Sequence, residues 1–237
     1  MEHVDALTRT VVAAFLYGGA YITGLALFAM MARRRGMATS GMWVLVQAGL
    51  LGGLASAGLM QVVFTGTPGK TLLGALAGGY LSVVLAKRAL GIERPTGDLW
   101  AVALAGGEAV GRIGCFVGGC CFGKATTVAW AVHDHGAARH PTQLYLSAAA
   151  LLTLGVLLVL DRYRLPQNAL FYVQGTLLCA FRFVIEFYRD GSPHAGTLTF
   201  AQWACLAGIL FFGWKMSHAF ASQGTRVFRP RFAPAAG

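Results

Sequence analysis

Two pairs of opposite charges lie inside apolar stretches of the sequence. Glu108 and Arg112 are four residues apart in one stretch, and Arg182 and Glu186 are four residues apart in another. Side chains four residues apart share one face of a helix, and a charged group in hydrocarbon needs a partner or a polar cavity. The spacing predicts either internal ion pairs that hold a helix bundle together or cations that serve a binding site.

The neighbours of these pairs favour a binding site. Arg112 lies in the segment GRIG, whose glycines allow close helix approach. Arg189 follows Arg182 by seven residues, on the same predicted helix. A guanidinium group binds phosphate through parallel N–H donors, and the abundant phosphate at a membrane boundary is the phospholipid headgroup. We therefore expect Arg112, Arg182 and Arg189 to bind an anionic phospholipid.

The segment RHPTQLY, residues 139–145, adds cationic, titratable and hydrogen-bonding groups at one end of an apolar stretch. Histidine titrates near neutrality, so His140 is a candidate general base. Arg139 and Gln143 are candidate ligands for a polar headgroup. Tyr145 is either a further ligand or an interfacial aromatic anchor. His133 and His135, earlier in the same connection, are expected to be exposed to solvent.

Three of the five cysteines follow Arg112 closely: Cys115, Cys120 and Cys121. Their spacing matches no zinc knuckle, so no metal site is expected. The interpretations that remain are reactive thiols, one of them a covalent nucleophile, or a disulfide or redox role at an outward-facing site. Cys179 and Cys205, alone in their apolar stretches, are expected to be packing residues.

Composition indicates that membrane helices position these residues. Of the 237 residues, 56% are apolar and 12% are charged, and the mean hydropathy is +0.61. Soluble domains average about 25% charged residues, so water is not the only solvent of this chain. The high apolar content excludes a disordered chain, and five cysteines are too few for a secreted disulfide scaffold. The net charge is +10, but the basic residues are scattered between apolar runs, and nucleic acid is not an expected partner. We predict an all-α integral membrane protein.

Seven stretches are long enough to cross a bilayer, which takes roughly 20 apolar residues. Most of the 19 lysine and arginine residues fall in the first, third and fifth connections and in the C-terminal tail, which places the N-terminus outside and the C-terminus in the cytoplasm. We expect one domain over residues 1–221 and a flexible cytoplasmic tail over 222–237. The predicted spans are 10–32, 42–64, 71–90, 98–117, 143–160, 169–188 and 198–216.

Four segments, in this order, resemble those of the prolipoprotein diacylglyceryl transferases, and more closely a divergent, cysteine-containing branch of that family. They are LYGGAYITG, GRIGCFVGGCCFG, RHPTQLY and RFVIEFYRD, which begin at Leu16, Gly111, Arg139 and Arg182. The resemblance implies a multi-pass protein of the bacterial cytoplasmic (inner) membrane. It implies transfer of the diacylglyceryl group of phosphatidylglycerol to the thiol of a lipobox cysteine in a preprotein, with release of glycerol phosphate and without a cofactor.

The resemblance also implies roles for individual residues. Arg112 and Arg182 match arginines that hold the lipid phosphate, and we expect them to be catalytic together with His140. The expected substrate-binding residues, from the resemblance and from the charge pattern together, are Tyr17, Glu108, Arg139, Gln143, Tyr145, Glu186 and Arg189.

The chain departs from the family pattern at several polar positions. The histidine that the family carries before its third span is absent from residues 68–74. Cys115, Gly118 and Cys120 stand where the pattern has Asn, Asn and Glu, and Leu146 stands where it has Glu. The alternatives are a family member with another acceptor, or a non-enzymatic lipid-binding or thiol-redox membrane protein.

Overall fold

The computed structural model describes residues 6–65, 72–191 and 194–222, which form seven helices and two short β-hairpins. Each helix corresponds to one predicted apolar stretch. The helices are α1 (Ala6–Arg34), α2 (Ser40–Thr65), α3 (Leu72–Ala89), α4 (Gly97–Val117), α5 (Thr142–Leu160), α6 (Ala169–Glu186) and α7 (Phe200–Ala221). The strands are β1 (Val132–Asp134), β2 (Ala137–Arg139), β3 (His194–Ala195) and β4 (Leu198–Thr199).

Six of these helices are long and apolar enough to cross a membrane: α1, α2, α4, α5, α6 and α7. The predicted third span corresponds to α3, an 18-residue helix that carries Lys87 and Arg88 in its last turn, and α3 is not among the six found in the described part of the chain. The predicted class, a helical multi-pass membrane protein, agrees with these helices. The number of crossings and the orientation stay predictions, and most of the predicted tail, 223–237, lies outside the described residues.

One prediction about the sixth span is wrong. Helix α6 ends at Glu186, so Arg189 is not on the helix that carries Arg182. Beyond Glu186 the backbone turns, with Tyr188 N–H donating to Ile185 O at 3.0 Å and Arg189 N–H to Glu186 O at 3.2 Å. Arg189 then forms an isolated antiparallel bridge with Gly123. Pairing with the segment after α4 therefore ends the helix before Arg189.

The connection from α4 to α5 contains a hairpin that the sequence analysis did not predict. Strands β1 and β2 are antiparallel, with Asp134 opposite Ala137. Their two-residue turn, His135 and Gly136, has φ of 50° and 73°, as a hairpin with matching twist requires. His133 and His135 are exposed, as expected, and the His135 ring also stacks on Phe122, with 4.3 Å between centroids.

The helices fall into two compact units: the described residues of 1–31 and 96–237, and those of 32–95. Close backbone contact joins α2 and α3 within the second unit. A Cβ atom at Gly53 would lie 3.0 Å from the carbonyl oxygen of Ala75, and one at Gly79 would lie 3.1 Å from that of Gly49. Both positions therefore need glycine for this helix contact, as in other membrane helix pairs.

Helices α4 and α6 of the first unit are joined where they begin. The carboxylate Oδ1 of Asp98 accepts the backbone N–H groups of Leu170 at 3.0 Å and Phe171 at 3.3 Å. In return, Asn168 Oδ1 accepts the N–H of Gly97 at 3.0 Å. These bonds satisfy donors that a helix start leaves unpaired, and they set α4 and α6 side by side at a common level.

The shared starting level places the two paired arginines near the same depth. Helix α4 begins at Gly97 and α6 at Ala169. At a rise of about 1.5 Å per residue, Arg112 lies roughly 22 Å and Arg182 roughly 20 Å along their helices. The cap at one end of the bundle therefore aligns the charges at the other end.

Replacing Asp98 by alanine tests the cap. We expect Asp98→Ala to lower the free energy of unfolding by about 1–2 kcal/mol, the usual cost of losing a helix cap, because two N–H donors of α6 lose their acceptor. Thermal unfolding in detergent measures this. Thr10→Ala is the control, since that exposed hydroxyl donates to Ala6 O in its own helix. Equal stability of both variants would contradict the role of the cap.

Candidate functional site

Residues 118–123, called the cysteine loop, follow α4 directly. The N–H of Cys120 donates to the carbonyl oxygen of Cys115 at 3.1 Å, which closes the end of the helix. Cys121 has φ of 60°, a left-handed conformation that is uncommon for residues other than glycine. Such a conformation costs on the order of 1–3 kcal/mol and persists where surrounding contacts impose it.

The start of α5 imposes that conformation. Thr142 Oγ1 donates to the carbonyl oxygen of Cys121 at 2.8 Å, and Gln143 Nε2 donates to that of Cys120 at 2.7 Å. The side chains that hold the loop are themselves fixed, because Thr142 is 1% exposed and Gln143 is 2% exposed. Thr142 was not among the predicted site residues. Its position inside the segment RHPTQLY could have indicated a role at the site.

The loop ends at Gly123, where two other segments meet. The N–H of Gly123 donates to His140 O at 3.0 Å. A Cβ atom on Gly123 would lie 2.5 Å from His140 O and 2.8 Å from Tyr188 O. Only glycine fits here, so the segment before α5 and the turn after α6 both contact the loop backbone.

Three thiols gather at the loop and form the thiol cluster: Cys115, Cys120 and Cys121. Cys120 Sγ donates to the carbonyl oxygen of Cys115 at 3.7 Å, and all five cysteines of the chain are free thiols. Tyr17 of α1 joins them, with its hydroxyl donating to Cys115 Sγ at 3.5 Å and lying 4.0 Å from Cys120 Sγ. The structure therefore brings the predicted residue Tyr17 to the predicted thiols.

The thiols of the loop differ in acidity. Hydrogen bonds from Cys115 and Cys120, followed by the positive charges of Arg189 and Arg112, outweigh burial and lower the pKa of Cys121. Hydrogen bonds with Cys115 and Cys121, together with burial, raise the pKa of Cys120. The negative charge of an ionised thiol cluster therefore lies on Cys121.

Both predicted ion pairs form. Arg112 donates from Nε and Nη2 to Glu108 Oε1, at 3.2 and 2.9 Å. Arg182 Nη2 lies 2.7 Å from Glu186 Oε2. The two arginine side chains are only 14% and 16% exposed, so these are charges taken largely out of solvent.

The arginines also act on each other. Arg182 interacts electrostatically with Arg189 and Arg112, and we call these three residues the arginine cluster. Three guanidinium groups face two carboxylates, those of Glu108 and Glu186. The excess positive charge attracts an anion, and a guanidinium is well suited to a phosphate oxygen pair. Although Arg189 is not on α6, the turn after the helix still brings it to the cluster.

The remaining predicted residues support the loop. Arg139 Nη1 lies 2.6 Å from Asp190 Oδ2 and donates to Gly123 O at 3.2 Å, and its guanidinium stacks over Phe122 at 4.7 Å. These contacts engage Arg139 with the cysteine loop and the turn after α6. A substrate contact by Arg139 stays a prediction.

His140 and Tyr145 belong to an aromatic group beside the loop. Tyr145 OH accepts from Trp130 Nε1 at 2.7 Å and lies 3.2 Å from His140 Nδ1. The His140 ring also packs edge-on against Tyr188, at 5.1 Å between centroids. Trp130 and Tyr188 were not predicted as site residues. Among the described residues, the hydrogen-bond partner of the His140 ring is the hydroxyl of Tyr145.

Arg9 connects α1 to the hairpin. Its Nε donates to Val117 O at 3.3 Å, and its Nη2 lies 3.5 Å from Asp134 Oδ1. The sequence analysis counted Arg9 only among the scattered basic residues, because no local pattern links it to residues more than 100 positions away. Among the described residues, no three His, Cys, Asp or Glu side chains are arranged to hold a metal ion.

Comparison with known proteins identifies the same family that the four sequence segments indicated. Residues 7–217 match the family model described as prolipoprotein diacylglyceryl transferase. The chain belongs to the prolipoprotein diacylglyceryl transferase family. The resemblance proposed from the sequence is thereby confirmed, whereas the roles of individual residues in this family member stay predictions.

Relatives named phosphatidylglycerol–prolipoprotein diacylglyceryl transferase come from several bacteria. The protein from Campylobacter curvus is 35% identical over 166 residues, which is 66% of this chain and 60% of that protein. The one from Oleidesulfovibrio alaskensis is 29% identical over 226 residues, 82% of each chain. The one from Idiomarina loihiensis is 33% identical over 150 residues, 59% of this chain and 54% of that protein. The matched part thus spans less than two thirds of two of these three relatives.

Gly123 offers a test of the loop geometry in this member of the transferase family. We expect Gly123→Ala to destabilise the protein by about 1–3 kcal/mol, as overpacking does, because the new methyl group meets the carbonyl oxygens of His140 and Tyr188. Thermal unfolding and the alkylation rate of Cys120 report the change. Gly155→Ala is the control, since a Cβ there meets no atom within 4 Å. Identical behaviour of the two variants would contradict the close contact.

Proposed function

We propose that this protein transfers the diacylglyceryl group of phosphatidylglycerol to a cysteine thiol of a prolipoprotein and releases glycerol phosphate. The observation that carries the proposal is the arginine cluster beside the cysteine loop, at the ends of α4 and α6. Family membership supports it, because the curated relatives are named for this reaction.

The proposed reaction is a displacement at carbon. The acceptor sulfur, as a thiolate, attacks the glyceryl carbon that is bonded to the phosphate oxygen. The carbon–oxygen bond breaks, and its electron pair leaves with glycerol phosphate. Negative charge on the phosphate grows in the transition state, and guanidinium groups already in position stabilise it without reorganisation.

Arg112 and Arg182 are the proposed phosphate ligands, and their carboxylate partners orient them. A small cavity lies between α4, α5 and α6, and Glu108, Thr153 and Gln174 line it together with apolar side chains. Tyr17, Gln143, Tyr145 and Arg189 are proposed as further substrate-binding residues.

The proposed setting is the bacterial inner membrane, with seven crossings, the N-terminus outside and the C-terminus in the cytoplasm. This orientation places the cysteine loop on the outer face, where a lipobox cysteine of an exported preprotein is available. The chain would act as one domain over residues 1–221 with a cytoplasmic tail over 222–237. The asymmetry of the basic residues supports the orientation.

The thiol cluster supports a second candidate function. Three free thiols beside the arginine cluster also suit a lipid-binding or thiol-redox membrane protein, or a transferase with another acceptor. Release of glycerol phosphate from labelled phosphatidylglycerol, with and without a lipobox peptide, separates these functions. No release under either condition favours the lipid-binding or redox protein, and release that ignores the lipobox peptide indicates another acceptor.

Substitution of Arg112 tests phosphate recognition. We expect Arg112→Ala to reduce glycerol phosphate release from phosphatidylglycerol by about 100-fold or more, and Arg112→Lys to recover little, because an ammonium group lacks the two-donor fork. Arg162→Lys, an exposed arginine in the connection between α5 and α6, is the matched control and should retain activity. Full activity of Arg112→Lys would exclude two-donor recognition at this position.

A double variant distinguishes phosphate binding from a purely structural ion pair. Removing both charges of a buried pair avoids leaving one unpaired, so Glu108→Gln with Arg112→Gln should keep the fold. If the pair serves only structure, this double variant recovers both stability and activity. If Arg112 binds phosphate, the double variant is stable, judged by thermal unfolding in detergent, and inactive in glycerol phosphate release.

A further inference from the structure

Helix α4 ends in a Schellman turn, in which two backbone hydrogen bonds close the helix end over a left-handed residue. The N–H of Gly119 donates to Phe116 O at 3.2 Å. The N–H of Cys120 donates to Cys115 O at 3.1 Å. Gly119 has φ of 67°, which is the left-handed conformation that the motif needs. The turn therefore places Cys115 and Cys120 at its two ends.

The residues at the two ends of a Schellman turn frequently touch through an apolar side-chain contact. Helices α1 and α3 end in the same turn. The N–H of Met37 donates to Ala32 O at 2.8 Å, and that of Ile92 donates to Lys87 O at 2.9 Å. The outer residue of those turns, Met37 or Ile92, is apolar, whereas in α4 both end positions are cysteine. The backbone motif thus sets two thiols in the place of an ordinary packing contact.

The side-chain distances agree with this contact. Cys120 Sγ lies 3.7 Å from the carbonyl oxygen of Cys115, so the Cys120 side chain turns back over the end of α4. The hydroxyl oxygen of Tyr17 lies 3.5 Å from Cys115 Sγ and 4.0 Å from Cys120 Sγ. Both sulfurs therefore lie against one oxygen atom. Cys120 is exposed and Cys115 is partly exposed, so a reagent in solvent can reach the two thiols.

Cys121, the third thiol of the cluster, is a poorer partner for Cys120. Neighbouring Cα atoms are about 3.8 Å apart across a trans peptide bond, whereas the Cα atoms of a disulfide are usually roughly 4.4–6.8 Å apart. A bond between the adjacent cysteines would distort the backbone whose carbonyl oxygens Thr142 and Gln143 hold. A bond between Cys115 and Cys120 joins residues that the turn already brings together.

We propose that Cys115 and Cys120 are a redox pair whose disulfide locks the end of α4 and the cysteine loop that follows it. The oxidant is an organic disulfide. One thiolate of the pair attacks an oxidant sulfur and releases the first oxidant thiol. The other thiolate then displaces the second oxidant thiol and forms the bond between Cys115 and Cys120. The pair loses two electrons and two protons, and the oxidant gains them and becomes two thiols.

The disulfide limits opening of the cysteine loop. In the reduced state hydrogen bonds alone close the turn, and helix ends open more readily than helix interiors. A covalent bond between its two ends keeps the turn closed, while Thr142 and Gln143 hold the carbonyl groups that follow. Under the proposed orientation the loop faces the outside, where disulfides persist. This inference goes beyond the proposed function and holds for either candidate function, because neither the bond nor its test involves a lipid.

Differential labelling of the full-length protein in detergent tests the pairing. The protein is treated with oxidised glutathione at about pH 8.5, where thiolate is available. Free thiols are blocked with iodoacetamide, and the protein is then reduced and labelled with N-ethylmaleimide. Trypsin releases residues 113–124 as one peptide, and fragmentation assigns each label. We expect the maleimide label on Cys115 and Cys120 and the iodoacetamide label on Cys121.

Three results would overturn the pairing. A maleimide label on Cys121 would show that this residue forms the bond in place of one of the proposed two. A maleimide label on Cys120 alone would show a mixed disulfide with glutathione, and iodoacetamide on all three cysteines would show that no bond forms. Cys121→Ser is the matched control, and in this variant both Cys115 and Cys120 should still take the maleimide label.

Hydrogen–deuterium exchange tests the lock. We expect oxidation of the parent to slow exchange at the backbone amides of residues 118–123 by about tenfold or more, because opening of the turn is blocked, and reduction to restore the fast exchange. Cys121→Ser keeps the pair and should respond like the parent. Cys120→Ser removes one member of the pair and should exchange alike under both conditions. Equal exchange in the oxidised and the reduced parent would contradict the lock. Thermal unfolding of each reduced variant identifies any difference that comes from failure to fold.

Discussion

The structure depends on keeping positive charge inside an apolar helix bundle. Arg112 and Arg182 are mostly buried, and each has a carboxylate one helical turn away. Burying an ion costs several kcal/mol that pairing only partly offsets, and the third guanidinium, Arg189, adds repulsion. A bundle that needed only stability would pack better with apolar side chains at these positions, so the retained charge points to a ligand that shares it.

Contacts at the opposite ends of α4 and α6 help to bring Arg112 and Arg182 together. The reciprocal caps of Asp98 and Asn168 align α4 with α6, and the parallel course of the helices carries the alignment to the arginines. The cysteine loop is then held by α5 through Thr142 and Gln143. Hydrogen bonds between α4, α5 and α6 thus fix the positions of both the loop and the helices that carry Arg112 and Arg182.

The sequence predicts those parts of this arrangement that depend on local spacing. Apolar length predicts the helices, and the four-residue spacing predicts the pairs of Arg112 and Arg182. Contacts between distant segments were not predictable in this way. Arg139 reaches Asp190 across 51 positions, and Arg9 reaches Asp134 across 125. Arg189 is an example of a wrong prediction from local spacing. Its seven-residue spacing from Arg182 predicted that both lie on one helix, but α6 ends at Glu186 and Arg189 pairs with Gly123.

The left-handed backbone of Cys121 was equally hidden in the sequence. Cysteine has no preference for positive φ, and bonds from the distant residues Thr142 and Gln143 hold the carbonyl groups of this loop. The identity of the strained residue depends on which carbonyl groups the side chains at the start of α5 reach.

The thiols change the electrostatics of the site as well as its chemistry. The family pattern that the sequence resembles has a glutamate where this chain has Cys120 and an asparagine where it has Cys115. A permanent carboxylate beside the arginines is thereby replaced by groups whose charge depends on a proton. The permanent negative charges that remain beside the arginines are the carboxylates of Glu108 and Glu186. Three guanidinium groups therefore keep an excess of positive charge, and this excess favours an anionic ligand such as a phosphate.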